Sequence, residues 1–170
     1  AALWAGGATL AVALFAARVG RPLQRSTIAV VALSLFFLLL TQHPFPDPAK
    51  LRCPDPGTIP NFQPFAFVAG IADAVFSGNS RALLTVGPLS SAANLALCAI
   101  IGWAHSRRTD RLSHAVALGA GLTLAAELSQ ITGLWGVYPC PYRKFDVDDI
   151  LLNVGGVVLG FLIGRWLTRR

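Results

Sequence analysis

Ala115-Val-Ala-Leu-Gly-Ala-Gly-Leu-Thr-Leu-Ala-Ala-Glu127-Leu-Ser-Gln130-Ile-Thr-Gly-Leu134 carries a single ionisable side chain, Glu127, in a run of otherwise apolar or neutral residues. About 20 residues of helix cross a hydrocarbon layer of about 30 Å, so the natural solvent for this stretch is lipid. Four more stretches have the same character: Ala2 to Ala17, Thr27 to Thr41, Leu83 to Trp103 and Ile150 to Leu167. The sequence therefore predicts an all-α integral membrane protein, a bundle of five transmembrane helices forming one domain over residues 1–170. The first two runs are short for a full crossing and call on flanking arginines that snorkel to the interface. Phe15-Ala16-Ala17 has the small residues of a signal-cleavage site, but arginine follows the apolar run instead of preceding it, so the first span is expected to be retained.

The composition agrees. Apolar residues make up 54% and charged residues 13%, against about a quarter charged in soluble domains. A formal charge of +6 does not signal nucleic acid, because the basic residues punctuate the ends of apolar runs and form no basic stripe. Arg18, Arg21 and Arg25 separate spans one and two, Arg107, Arg108 and Arg111 separate three and four, and Arg165, Arg169 and Arg170 close the chain. All fall on one side, accompanied there by one acid, Asp110. Cytoplasmic loops carry the Lys/Arg excess, so the amino terminus is expected outside and the carboxyl terminus in the cytoplasm. Arginine outnumbers lysine twelve to two, a bias that points to the plasma membrane of a GC-rich bacterium.

The opposite side holds a long outer loop, residues 42–81, with Pro44, Pro46, Pro48, Pro54, Pro56 and Pro60. Dense proline resists helix and makes a semi-rigid strap. After it, Pro64 is placed to open a short helix over 64–77, on which Phe65, Val68, Ala72 and Val75 recur at helical spacing with Asp73 on the other face. Two placements remain open for it: in the outer membrane interface, or packed on the bundle. Cys53 and Cys140 both fall outside, in separate loops, and an oxidising compartment favours a disulfide between them, with Cys98 buried in span three. His43 is the one outer histidine, so no zinc site is expected.

Ionisable groups within spans usually face the bundle interior and are functional hypotheses by default. Glu127 has Gln130 at i+3 and Thr123 at i−4 on the same helix face, in the outer half of the membrane. Beyond the next loop come Arg143, then Asp146, Asp149 and Asn153 at i, i+3 and i+7, one stripe of the incoming fifth helix. The acids also suit a helix amino terminus by capping and by the helix dipole. Gly156, Gly160 and Gly164 form a small-xxx-small series that lets a neighbouring helix approach closely.

Glu127-Leu-Ser-Gln130, Arg143-x-x-Asp146-x-x-Asp149, Asn153 and Gly156-x-x-x-Gly160 resemble, in order and spacing, the closing motif of the VanZ-like membrane proteins, named for a teicoplanin-resistance protein. Asn61-Phe-Gln-Pro64-Phe65 is similar to that family's Asn-Leu-x-Pro-Phe element, and Asn94 to Gly102 falls at its Asn-x-x-x-Phe-x-Pro-x-Gly element, with Cys98 and Ile100 in place of Phe and Pro. The resemblance implies that Glu127, Gln130, Arg143, Asp146, Asp149, Asn153 and Asn94 converge on the outer side of the cell membrane. There they would bind the polar head of a membrane lipid, a lipid-linked cell-wall precursor or a lipoglycopeptide, as in teicoplanin-type resistance. Two other classes compete. An enzyme would use Glu127, Asp146 and Asp149 as acid and base on a lipid-linked substrate, or, with Asn153, as the oxygen set that magnesium or calcium prefers; no organic cofactor is indicated. A small transporter has less support, since the spans show no inverted repeat and only Gly87-Pro88 offers a kink. The plainer account of the cluster is interhelical glue, with Arg143 paired to Asp146 or Glu127.

Overall fold

A computed structural model describes residues 2–18, 24–42, 47, 50–53, 59–78 and 86–170. Pro44, Pro46, Pro48, Pro54 and Pro56 of the strap, Arg21, Arg81 and the start of the third expected span lie outside the described residues. The chain is helical: α1 is Ala2–Arg18, α2 Arg25–Thr41, α3 Ala66–Phe76, α4 Val86–His105, α5 Leu112–Ile131 and α6 Val147–Thr168. The sole β element among the described residues is an isolated parallel bridge between Asn61 and Asp146.

Five helices fall where five spans were expected, with one correction. Among the described residues two helices, α5 and α6, are long and apolar enough to cross a membrane by length and composition. At 1.5 Å per residue they reach about 30 and about 33 Å, whereas the 17 residues of α1 or α2 reach only about 26 Å. In α4 the qualifying apolar stretch is the shorter Ser91–His105.

Helix ends are set by local chemistry. The fourth span, expected to Leu134, stops at Ile131, because the Thr132 hydroxyl bonds both the Leu128 carbonyl and the Trp135 amide and the chain then turns left-handed. Gly133 (φ 61°), Leu134 (φ 55°) and Trp135 (φ 59°) make that turn. A Cβ at Gly133 would stand 2.6 Å from the Tyr138 carbonyl oxygen, so glycine is required there for space as well as for φ. The fifth span, expected from Ile150, begins three residues earlier at Val147, because Asp146 caps it by accepting from the Asp148 amide at 3.1 Å. Pro64 does not open α3. Pro64 and Phe65 form a turn, Phe65 lies at φ 63°, and the helix starts at Ala66.

The core is built on α4 against α6, the most extensive helix interface in the molecule. Glycines make it possible from both sides. A Cβ on Gly102 of α4 would collide with the Val157 carbonyl, one on Gly160 with the Ala99 carbonyl, and one on Gly156 would come within 2.7 Å of the Leu95 oxygen. Gly164 meets the Ser106 side chain in the same way. Phe37, Cys98, Ile101, Ala115, Leu122, Ala126, Val157 and Phe161 fill the space between α2, α4, α5 and α6.

Polarity is inverted relative to a water-soluble bundle. Thr123, Glu127, Gln130 and Asn153 are buried, while Leu124, Leu128, Leu159, Leu162, Ile163 and Leu167 are exposed on the outer faces of α5 and α6. At the arginine-rich end, Arg107 lies over the Trp103 ring at 4.8 Å and Arg170 over Trp166 at 3.8 Å. Such belts of tryptophan and arginine are typical where helix ends meet a membrane surface.

Candidate functional site

The opposite end is where the strap, the α5–α6 loop and the start of α6 meet. Cys53 and Cys140, 87 residues apart, are joined by a disulfide with Cα atoms 5.7 Å apart, which ties the strap to the α5–α6 loop. Asn61 then docks on the segment leading into α6: its amide donates to the Phe145 carbonyl at 2.8 Å and its carbonyl accepts from the Val147 amide at 3.0 Å. Its side-chain amide donates to Asp146 Oδ1 at 2.9 Å.

Asp146 is the hub. Oδ1 accepts from Asn61 and from the Asp148 amide, Oδ2 pairs with Lys144 Nζ at 3.3 Å, and its backbone N–H donates to Glu127 Oε2 at 3.2 Å. Glu127 is only 2% exposed, and the charges it feels come from Asp149, Asp146 and Arg143. Asp148, 5% exposed, accepts from the Phe65 amide at 2.6 Å and the Phe67 amide at 3.0 Å. It thus caps α3 from 81 and 83 residues away, satisfying donors that the helix itself leaves open.

A second group of bonds surrounds the end of α2. Gln130 Nε2 and Arg143 Nη1 each donate to the Thr41 carbonyl at 3.1 Å. Gln42 donates to the Ala126 carbonyl at 3.4 Å and accepts from the Tyr142 hydroxyl. Burial raises the Tyr142 pKa, which keeps that hydroxyl a donor. One turn deeper, Asn153 Nδ2 donates to Thr123 Oγ1 at 3.2 Å, and its Oδ1 faces Cys98 Sγ at 3.7 Å.

The expected cluster is therefore brought to one end but divided into three parts. Glu127, Asp146 and Asp149 gather at the start of α6, Gln130 and Arg143 at the end of α2, and Asn153 sits within the helix core. Asn94 is half-buried on α4 and among the described residues makes no hydrogen bond to the others. The ion pair to Asp146 comes from Lys144, while Arg143 reaches the Thr41 carbonyl. Asn153 of the expected magnesium or calcium oxygen set is turned toward Thr123 and Cys98, and among the described residues no three His, Cys, Asp or Glu side chains are grouped to hold a metal.

Beside Asp146 lies a cavity of about 780 Å³ between α3, the first turns of α4 and the start of α6. Asn61, Lys144, Asp146, Asp148 and Asp149 form its polar side. Its apolar wall includes Phe67, Ile71, Pro88, Ala92, Leu95 and Leu152.

A family model described as VanZ/LLP1 matches residues 11–168. The chain belongs to the VanZ/LLP1 family. No curated protein and no solved structure matches it. In this VanZ-type protein the segments that carry the sequence motif, Asn61 to Phe65 and Glu127 to Asp149, are the ones hydrogen-bonded to one another around the cavity. Thr41 and Gln42 belong to the group at the end of α2 and Asp148 to the group at the start of α6, and none of the three was singled out from the sequence. Their one sequence signal was polarity at the end of α2 and the start of α6.

Proposed function

We propose that this VanZ-type protein resides in the plasma membrane of a bacterium, with α1, α2, α4, α5 and α6 crossing it, the amino terminus outside and the carboxyl terminus in the cytoplasm. Its outer rim binds the polar head of an envelope amphiphile, whether a membrane lipid, a lipid-linked cell-wall precursor or a lipoglycopeptide, and so contributes to resistance of the teicoplanin type. The observation that carries this reading is the cavity beside Asp146, with carboxylates and a lysine on one side and an apolar wall on the other. Such a two-sided lining suits a molecule with a head and a tail. α3 supports it: Phe65, Val68, Ile71, Val75 and Phe76 are all exposed, and Ala74 is the one buried residue of the helix. That apolar surface suits the membrane interface better than a place packed on the bundle.

The test is antibiotic tolerance in a susceptible host expressing the chain. Asp149→Ala is expected to abolish any protection against teicoplanin-type lipoglycopeptides while the amount of protein in the membrane stays the same. Protection that persists in Asp149→Ala at equal abundance would remove the rim from the function.

A further inference from the structure

We infer that the head group held in the cavity beside Asp146 carries a primary ammonium, and that Asp149 is its counter-ion. This rests on the head-group reading above and names the chemistry of the ligand.

Three carboxylates and one ammonium line the cavity, and their hydrogen bonds divide their roles. Asp148 is satisfied by the Phe65 and Phe67 amides. Asp146 is satisfied by Asn61, the Asp148 amide and Lys144. Asp149 lines the same cavity and is half-buried; among the described residues its side chain makes neither a hydrogen bond nor an ion pair, and Arg143 and Lys144 act on its charge only from beyond ion-pair distance. A carboxylate withdrawn from water without a donor is unfavourable, and a ligand ammonium would relieve it through charge-assisted hydrogen bonds. A purely anionic head would instead meet an excess of negative charge. The tail has a route as well, because Phe67 and Ile71 in the cavity wall lead onto the exposed apolar surface of α3 at Val68 and Val75. The occupant is therefore an amphiphile with an amine at its head, entering from the outer leaflet beneath α3.

The experiment is native mass spectrometry of the purified full chain from mixed micelles containing equal amounts of phosphatidylethanolamine, phosphatidylcholine and phosphatidylglycerol. Phosphatidylethanolamine adducts are expected to exceed phosphatidylglycerol adducts by about tenfold, the scale of one charge-assisted hydrogen bond. Phosphatidylcholine, whose trimethylated nitrogen has no N–H to donate, should fall between them. Asp149→Asn should erase the preference while leaving the total number of adducts similar. A second variant separates the two levels of the claim. Gly70 lines the cavity and a Cβ there meets nothing within 4 Å, so the Cβ of Gly70→Leu has room and the rest of the side chain takes up space at the cavity. If Gly70→Leu lowers all adducts but the unmodified protein prefers phosphatidylglycerol, or keeps its preference in Asp149→Asn, the ammonium inference is overturned and the head-group site stands. If Gly70→Leu changes no adduct, the head-group site itself fails.

Discussion

The two ends of α6 are built on different principles. At Gly156 and Gly160 the helix lets its backbone approach the backbone of α4, and at Gly164 it makes room for the Ser106 side chain. From Asp146 to Asn153 the cap and first turns of that same helix present acids and an amide: Asp146 and Asp148 bond the Asn61 to Phe67 segment, and Asn153 bonds Thr123 of α5. The glycine seam is a packing solution of the kind that suits helices in lipid, where tails as apolar as leucine provide no hydrophobic drive between helices. The polar rim goes beyond packing. Interhelical polar contacts stabilise by well under 2 kcal/mol each, so each bond of the rim is modest glue taken singly. It does position at a cavity a carboxylate, Asp149, whose side chain makes no hydrogen bond or ion pair among the described residues.

This contrast can be broken at the seam first. Gly160→Val should cause the largest loss, at least about 3 kcal/mol, because the collision is with the Ala99 backbone, which has no flexible end to move aside. Gly155→Val, one turn away, meets nothing within 4 Å and is the matched control. Thermal unfolding of the two purified variants in detergent measures the difference, and equal midpoints would show that the seam is not tight.

Next in size is the disulfide. Closing a loop of 87 residues restricts the unfolded chain by about 4 to 5 kcal/mol in the chain-entropy account, though engineered cases commonly deliver less. Cys53→Ser should lower the midpoint by an amount comparable to Gly160→Val, and the two differ in where the structure loosens. It should also leave the α4–α6 seam intact, with hydrogen exchange rising around Asn61 and not in α4.

Asp148→Ala leaves the Phe65 and Phe67 amides without their acceptor, a penalty of about 1 to 3 kcal/mol confined to the attachment of α3. Faster exchange at residues 65–69 with α5 unchanged is the expected result. The smallest effect should come from Asn153→Leu. It removes one bond to Thr123 and one contact with Cys98, so a loss of about 1 kcal/mol is expected in the same unfolding assay.

Much of the rim was legible because polarity inside an apolar run is conspicuous. Glu127, Gln130 and Asn153 stand out by sequence position alone, and helical spacing assigns their faces. The pairing of Cys53 with Cys140 followed from topology. Asp148 was not legible, because its partners are amides of residues 65 and 67, and nothing local to Asp148 points to them. Thr41 and Gln42 were hidden for a related reason: what they offer the cluster is largely a backbone carbonyl at a helix end, and every residue has one. The early stop of α5 was missed because a left-handed turn through Leu134 and Trp135 depends on Gly133 packing beneath the Tyr138 carbonyl. Asn61 carried its signal only through the family resemblance.

Everything proposed for the rim requires it to face the cell exterior. Single cysteines at Ser77, just past α3, and at Asp110, between α4 and α5, should be challenged in intact cells with a membrane-impermeant thiol reagent; the native free thiol, Cys98, is buried. The account predicts that Ser77→Cys is labelled at once and that Asp110→Cys is labelled only after the membrane is opened. Labelling of Asp110→Cys in intact cells, with Ser77→Cys protected, would contradict it.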